Sequence, residues 1–153
     1  MARILLIMPR LPQPLGAPYL GQMYVASSLL AAGHEVRCLD LAARWGEADD
    51  DDAVAVAERF GPDLIGMTLF TYNAARAYSL AGRLQGKARM LVAGGPHPTV
   101  CLEEPLAHGF DVAVAGEGEP VIRALAAHLD GGEPRDLAAI AGQKPVPTKA
   151  RNS

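Results

Sequence analysis

The sequence predicts an α/β fold in which one parallel β-sheet carries helices on both faces, and three observations lead there. Apolar runs of strand length alternate with stretches of helical periodicity from residue 3 to residue 129. The runs are nearly continuous, as strands covered on both faces require. Half of the 153 residues are hydrophobic but only 5% are aromatic, and the apolar content is mostly Ala, Leu and Val, which suits helices packed on such a sheet.

Arg3 to Met8 reads as the first strand, closed by Pro9. Tyr19 to Ala32 has helical spacing, and Gly33 suits the position where the chain turns into the second strand, Glu35 to Asp40. Asp51 to Phe60 is the next helix, Asp63 to Thr68 the third strand and Tyr72 to Leu84 the third helix. Arg89 to Ala93 follows as strand four, Leu102 to Ala107 as a short helix, Val112 to Ala115 as strand five and Glu119 to Leu129 as the closing helix. Five βα units with short right-handed crossovers fit, by analogy at the level of fold, the three-layer flavodoxin-like (Rossmann-like) strand order 2-1-3-4-5. This places one domain in residues 1–132. Residues 133–153, where Pro134, Pro145 and Pro147 sit among Lys144, Lys149 and Arg151, read as a polar linker or tail.

A net charge of −3 gives no electrostatic reason to expect nucleic acid or an anionic membrane. No stretch looks like a signal peptide or reaches bilayer length, so a cytoplasmic setting is expected. Cys38 and Cys101 are too few for a disulfide scaffold or for an iron-sulfur cluster built by this chain alone. Cys38 is expected as a buried small hydrophobe in a strand, and Cys101 as the more exposed thiol. The acidic run Asp49 to Asp52 could suggest a divalent metal, but at a helix start it reads as capping and dipole compensation.

Ligands of open parallel sheets sit beyond the carboxyl ends of the strands. Four loops fall on that rim: Pro9 to Gly16 leading to Tyr19, Thr68 to Asn73, Gly94-Gly95-Pro96-His97, and Gly116-Glu117-Gly118-Glu119. A dinucleotide site would need a glycine turn directly after strand one, where this chain has prolines, and no Gly-Lys-Ser or Gly-Lys-Thr phosphate loop is present. A phosphoacceptor receiver domain would need carboxylates after strands one and three, but those places hold Met8-Pro9-Arg10 and Thr68-Leu69-Phe70, and arginine cannot ligate a metal. The rim instead offers glycines, hydroxyls and a few aromatics, suited to a large, mostly apolar ligand with a polar periphery.

In this order of motifs the sequence resembles the N-terminal cobalamin (B12)-binding domain of B12-dependent radical SAM enzymes. The matching residues are Leu5 to Pro9, Leu20-Gly21 through Leu29, Ala31, Gly33 to Val36, Asp40, Pro62 to Thr68, Gly94 to Thr99, Glu103-Glu104, Gly109 to Asp111, and Gly116 to Glu119 with Ile122. The resemblance implies a corrin held over the rim, with its dimethylbenzimidazole nucleotide tail tucked down beside the sheet. It implies that Gly94 and Gly95 let the tail pass strand four, and that Thr68, Phe70, Thr71 and Tyr72 line its way in and the lower corrin face. Gly116, Glu117 and Gly118 border the tail or the propionamide edge, and the loop from Pro9 and Arg10 to Tyr19 closes another side. Pro96 and His97 complete the cofactor-binding set. Methionine synthase and the mutases supply an axial histidine from a D-x-H-x-x-G motif after strand one. That loop has no histidine here, which implies base-off cobalamin without a protein ligand.

The resemblance further implies a partner barrel, as a following domain or a separate subunit, that carries a [4Fe-4S] cluster on C-x-x-x-C-x-x-C and uses S-adenosylmethionine. That motif is missing from this chain. Methyl transfer and ring closure both remain open, and the chain by itself is not expected to be catalytic. A non-enzymatic flavodoxin-like regulatory or interaction domain that does not bind cobalamin is the alternative.

Plainer readings stand beside several of these residues. His97 is read as a loop histidine that caps Thr99 to Ala107 or contacts ligand amides rather than as a cobalt ligand. His34 is placed opposite the rim, and His108 and His128 at the surface. Phe70 and Tyr72 could be core aromatics, Trp45 could pack over a helix edge, and Glu117 and Glu119 could cap the last helix. Gly94 and Gly95 could simply end a strand.

Overall fold

Strands β1 (Arg3–Met8), β2 (Glu35–Asp40), β3 (Leu64–Thr68), β4 (Met90–Gly94) and β5 (Val112–Ala113) form one parallel sheet in the order β2-β1-β3-β4-β5. The computed structural model describes residues 1–13, 16–43 and 48–131. Trp45 and the tail 133–153 lie outside the described residues. The observed order is the one expected from the sequence, with β3 central and β2 and β5 at the edges.

Alternation along the strands divides the core in two. On β1, Ile4 and Leu6 belong to one apolar cluster and Leu5 and Ile7 to the other. Helices α1 (Leu20–Ala31) and α6 (Glu119–Leu129) cover the first face through Ala26, Leu29, Ile122 and Leu125. Helices α2 (Asp50–Phe60) and α3 (Ala74–Leu84) cover the second through Ala57, Phe60, Leu80 and Leu84. Complete burial of a leucine such as Leu29 or Leu80 stabilises the fold by about 1.5–3 kcal/mol.

Carboxylates fix the amino-terminal edge of the sheet. Asp63 accepts the Arg3 amide at 2.8 Å and Asp111 accepts the Leu91 amide at 2.8 Å. The acidic run before α2 is a reciprocal cap: Asp49 accepts from the Asp52 amide at 3.1 Å, and Asp52 accepts from the Asp49 amide at 2.9 Å. Gly61, in the left-handed region at φ 60°, closes the same helix.

The structure differs from the sequence expectations at four places. Strand four is shifted one residue later and strand five is two residues long. A short helix α4 (Pro96–Val100) occupies what reads as a turn, because Pro96 sits at its start, where the missing N–H costs nothing. It precedes α5 (Glu103–Ala107). Cys38 is exposed rather than buried, since β2 is an edge strand, and Cys101, expected to be the more exposed thiol, is the less exposed of the two. The outer side of α1 is also apolar, with Leu20, Met23, Tyr24 and Leu30 exposed.

Replacing Asp49 by Ala removes the acceptor of the Asp52 amide and leaves only the bond from the backbone amide of residue 49 to Asp52. The variant is expected to lose about 1 kcal/mol of stability, read as a lowered midpoint in urea or thermal unfolding.

Candidate functional site

A glycine in the middle of β3 shapes the face beneath α1 and α6. Gly66 pairs in register with Leu6 of β1 and Val92 of β4. A Cβ on it would stand 2.9 Å from Leu6 Cδ2 and 3.5 Å from Ile122 Cδ1. Beside it lies a cavity of about 220 Å³, open toward the carboxyl rim. Leu6, Gly66, Val92 and Val114 form its sheet side, and Gln22, Val25 and Ile122 its helix side. The mouth is made by Tyr19, Thr68, Gly94, Gly95 and the loop Gly116 to Glu119.

The rim is held by backbone and side-chain bonds that converge on the loop after β4. The Leu69 amide donates to Gly94 O at 2.8 Å and the His97 amide donates to Leu69 O at 2.9 Å. Gly95 makes this approach possible. It adopts φ 93°, and a Cβ there would lie 2.9 Å from both Leu69 O and Thr68 Cγ2. Thr99 then joins two loops, donating to Gly95 O at 3.2 Å and accepting from the Gly116 amide at 3.0 Å.

His97 is buried, with its side chain 8% exposed, and both ring nitrogens are engaged inside the protein. Nε2 lies 3.1 Å from Glu104 Oε1 and Nδ1 lies 3.1 Å from Thr71 Oγ1. The Glu104 carboxylate can only accept, so Nε2 donates to it, while Nδ1 shares a hydrogen bond with the Thr71 hydroxyl. Tyr78 also donates to Glu104 Oε1, at 2.8 Å. The Tyr78 hydroxyl and then the His97 ring hold the Glu104 carboxyl below its ordinary value, while burial and the same carboxylate push the Tyr78 phenol up.

Three aromatic rings stand along the rim. Tyr19 meets Phe70 edge-on at 5.3 Å, and Phe70 stacks on Tyr72 at 5.3 Å. Phe70 and Tyr19 also pack on the small apolar cluster of Met8, Leu11 and Ala42, whereas Tyr72 is 63% exposed.

Of the residues singled out from the sequence, the structure brings Tyr19, Thr68, Gly94, Gly95, Gly116, Glu117 and Gly118 together around the cavity. Phe70, Thr71 and Tyr72 stand on the rim without lining it, and Pro9 is buried. Arg10 borders a separate polar cleft with Asp49, Asp50, Arg76 and Arg83. Pro96 starts α4, and His97 turns inward to Thr71 and Glu104 rather than capping Thr99 to Ala107. Helix α6 has Gly118 at its cap position and no side-chain cap bond, and Glu119 stands in its first turn, where a carboxylate opposes the helix dipole.

None of the four histidines lines the cavity. His34 accepts the Ala2 amide at 3.1 Å near the start of β1, and His108 stacks on Tyr78 at 4.1 Å. His128 lies in the last turn of α6.

Sequence reasoning passed over Gly66, Gln22, Val25 and Ile122 as site residues. Two signals could have found the first pair. A glycine inside an apolar strand marks a close approach. Gln22 shares a helix face with Ala26 and Leu29, so a polar residue occupies a core-facing position.

The B12 binding domain family matches residues 15–126. Cytidylyl-2-hydroxyethylphosphonate methyltransferase of Streptomyces wedmorensis is 32% identical over 147 residues, covering 81% of this chain and 26% of that protein. Among solved structures, the radical S-adenosylmethionine methyltransferase TsrM from Kitasatospora setae, with tryptophan substrate and a SAM analogue bound, matches with a TM-score of 0.77 at 22% identity. That match covers 92% of this chain and 27% of TsrM. The cobalamin-dependent S-adenosylmethionine radical enzyme OxsB, with aqua-cobalamin bound, matches with a TM-score of 0.73 at 15% identity, over 88% of this chain and 19% of OxsB. The structural matches concern the fold, and the chain spans about a quarter or less of each of these proteins.

The two rim glycines are expected to separate under substitution. Gly95→Ala combines positive φ with backbone overlap and should cost about 2 kcal/mol or more, whereas Gly94, with nothing within 4 Å of an added Cβ, should accept alanine. Urea unfolding of both variants tests the contrast. For Glu104 the folded carboxyl is depressed, so its contribution is complete above the unfolded value and is lost as pH falls through the folded one. Glu104→Gln should therefore be less stable at pH 7 and show a flatter stability profile below about pH 4.5. Parallel profiles for the two proteins would contradict the assignment.

Proposed function

We propose a function for this chain on one premise: it belongs to the B12-binding domain family. The chain holds cobalamin with the corrin over the carboxyl rim and the nucleotide tail inserted between the sheet and helices α1 and α6. The observation that carries this reading is the cavity beneath the rim, about 220 Å³ in volume. Roughly 150 Å³ of apolar space accommodates a benzene ring, so the cavity suits a somewhat larger aromatic base.

The donor set fits the cofactor. The mouth glycines Gly94, Gly95, Gly116 and Gly118 leave room for a chain to pass from rim to cavity. The aromatic side chains of Tyr19, Phe70 and Tyr72 offer apolar contacts at the rim, while Thr71 and Glu117 offer polar groups to the amide periphery. Arg10 follows β1 at the same end of the sheet but borders a separate cleft. Pro96 and His97 serve indirectly, by setting the loop after β4.

The tail is held base-off without a histidine in its place. Engagement of both His97 nitrogens supports this, as does the position of the other histidines away from the cavity. Cobalamin supplies a cobalt centre competent for methyl transfer or one-electron chemistry, and removing the strong lower donor shifts its accessible states. The chain's contribution is to bind and orient the corrin and to shield the base from water.

The chain works as part or partner of a radical SAM enzyme of methyltransferase or cyclase type, in which another domain or subunit carries the [4Fe-4S] cluster and uses S-adenosylmethionine. The matches to TsrM and OxsB support this association. So does the exposed apolar stripe of Leu20, Met23, Tyr24 and Leu30 on α1, a surface suited to a neighbouring domain.

Hydroxocobalamin added in the dark to the purified chain tests the reading. The expected result is a retained red chromophore with a base-off spectrum after gel filtration, and loss of colour at micromolar protein would sink it. Gly66→Val, which intrudes on the cavity, should weaken cobalamin binding at least tenfold while sparing cobinamide, which lacks the tail.

A further inference from the structure

Gln22 is the one side chain lining the cavity that is both buried and lacking a hydrogen-bond partner among the described residues. It is 6% exposed, it stands on the core-facing side of α1 between the sheet and α6, and its Nε2 is bonded to nothing in the protein. The other buried polar atoms without partners, on Arg3, Asp40, Asn73 and His128, are away from the cavity. Leu6, Val25, Val92 and Ile122, which line the same cavity, have side chains that cannot accept a hydrogen bond.

An unsatisfied amide in such surroundings costs stability, and leucine or methionine would fill the same volume without that cost. A ligand that completes its bonding would offset that cost. Rotation about the terminal bond of the glutamine presents either its NH₂ or its oxygen to the cavity, so the group can meet a donor or an acceptor.

We propose that Gln22 determines which lower base the cavity takes: its carboxamide NH₂ donates to the free ring nitrogen of a nitrogen-heteroaromatic base. The inference rests on the proposed placement of the tail. In the base-off form the ring nitrogen that would otherwise face cobalt is an open acceptor, and the flat ring lies between the sheet and the two helices. A phenolic lower base of similar size has no ring nitrogen to accept this bond, and a tail-less corrinoid never reaches Gln22. The cavity therefore selects on chemistry as well as on shape.

The experiment uses the full chain and its Gln22→Leu variant, with equilibrium binding of cobalamin, a phenolyl cobamide and cobinamide. In the native chain cobalamin should bind more tightly than the phenolyl cobamide. Gln22→Leu should weaken cobalamin binding about tenfold, leave cobinamide binding unchanged, and leave the phenolyl cobamide unchanged or tighter. The ligand-free variant should unfold at the same or a higher temperature than the native chain, which a residue needed only for folding would not do. Gln22→Met, equally apolar but more adaptable, should repeat the pattern. Equal losses for the two cobamides, or no loss for cobalamin, would overturn the role of Gln22 while leaving the binding function standing. Failure of the folded native chain to bind any of the three corrinoids would instead overturn the binding function itself.

Discussion

The rim depends on the close approach of two backbones at the ends of β3 and β4. Leu69 gives its amide to Gly94 and receives the amide of His97, so the two loops share a ladder beyond the sheet proper. Only glycine at position 95 admits the required conformation and leaves room for Leu69 O and Thr68 Cγ2. From that junction the order spreads outward. His97 reaches Thr71 and Glu104, Glu104 receives Tyr78 from α3, and Thr99 carries the connection to Gly116. These are short polar bonds among few residues, partly shielded from water, and they fix loops that apolar packing alone would leave with several arrangements.

The architecture was legible because it rests on patterns that repeat. Continuous apolar runs identified buried parallel strands, and the order of elements restricted the sheet to few topologies. The acidic run before α2 was readable as a cap because its residue types and spacing define the mechanism. What escaped was nonlocal or too short to carry a period. Helix α4 spans five residues and offers less than two turns of pattern. The exposure of Cys38 follows from β2 lying at the edge, which strand order decides rather than local sequence.

The same division runs through the site. The glycines of the loops after β4 and β5 were conspicuous because paired glycines beyond a strand are easy to see. Gly66 was hidden inside an apolar run, although its missing side chain influences the shape of the cavity more directly. His97 drew attention as a polar residue in a glycine-rich loop, but its neighbours Thr71 and Glu104 are remote in sequence, and only the fold shows that they occupy both its nitrogens. Gln22 breaks the apolar pattern of its helix, and departures from internal consistency of this kind concentrate at functional positions.

The two faces of the sheet are not equally complete. Beneath α2 and α3 large side chains such as Phe60, Leu80 and Leu84 close the core, whereas the space beneath α1 and α6 is left partly unfilled. A ligand ring lodged there would serve as a structural member of the hydrophobic core. Folding and occupancy are then thermodynamically linked: stability rises as RT ln(1 + [L]/Kd) with free ligand. In a cell that removes unfolded chains, the lifetime of such a domain tracks its cofactor supply. An unfinished layer of this kind would make the amount of folded protein depend on the supply of the ligand that fills it.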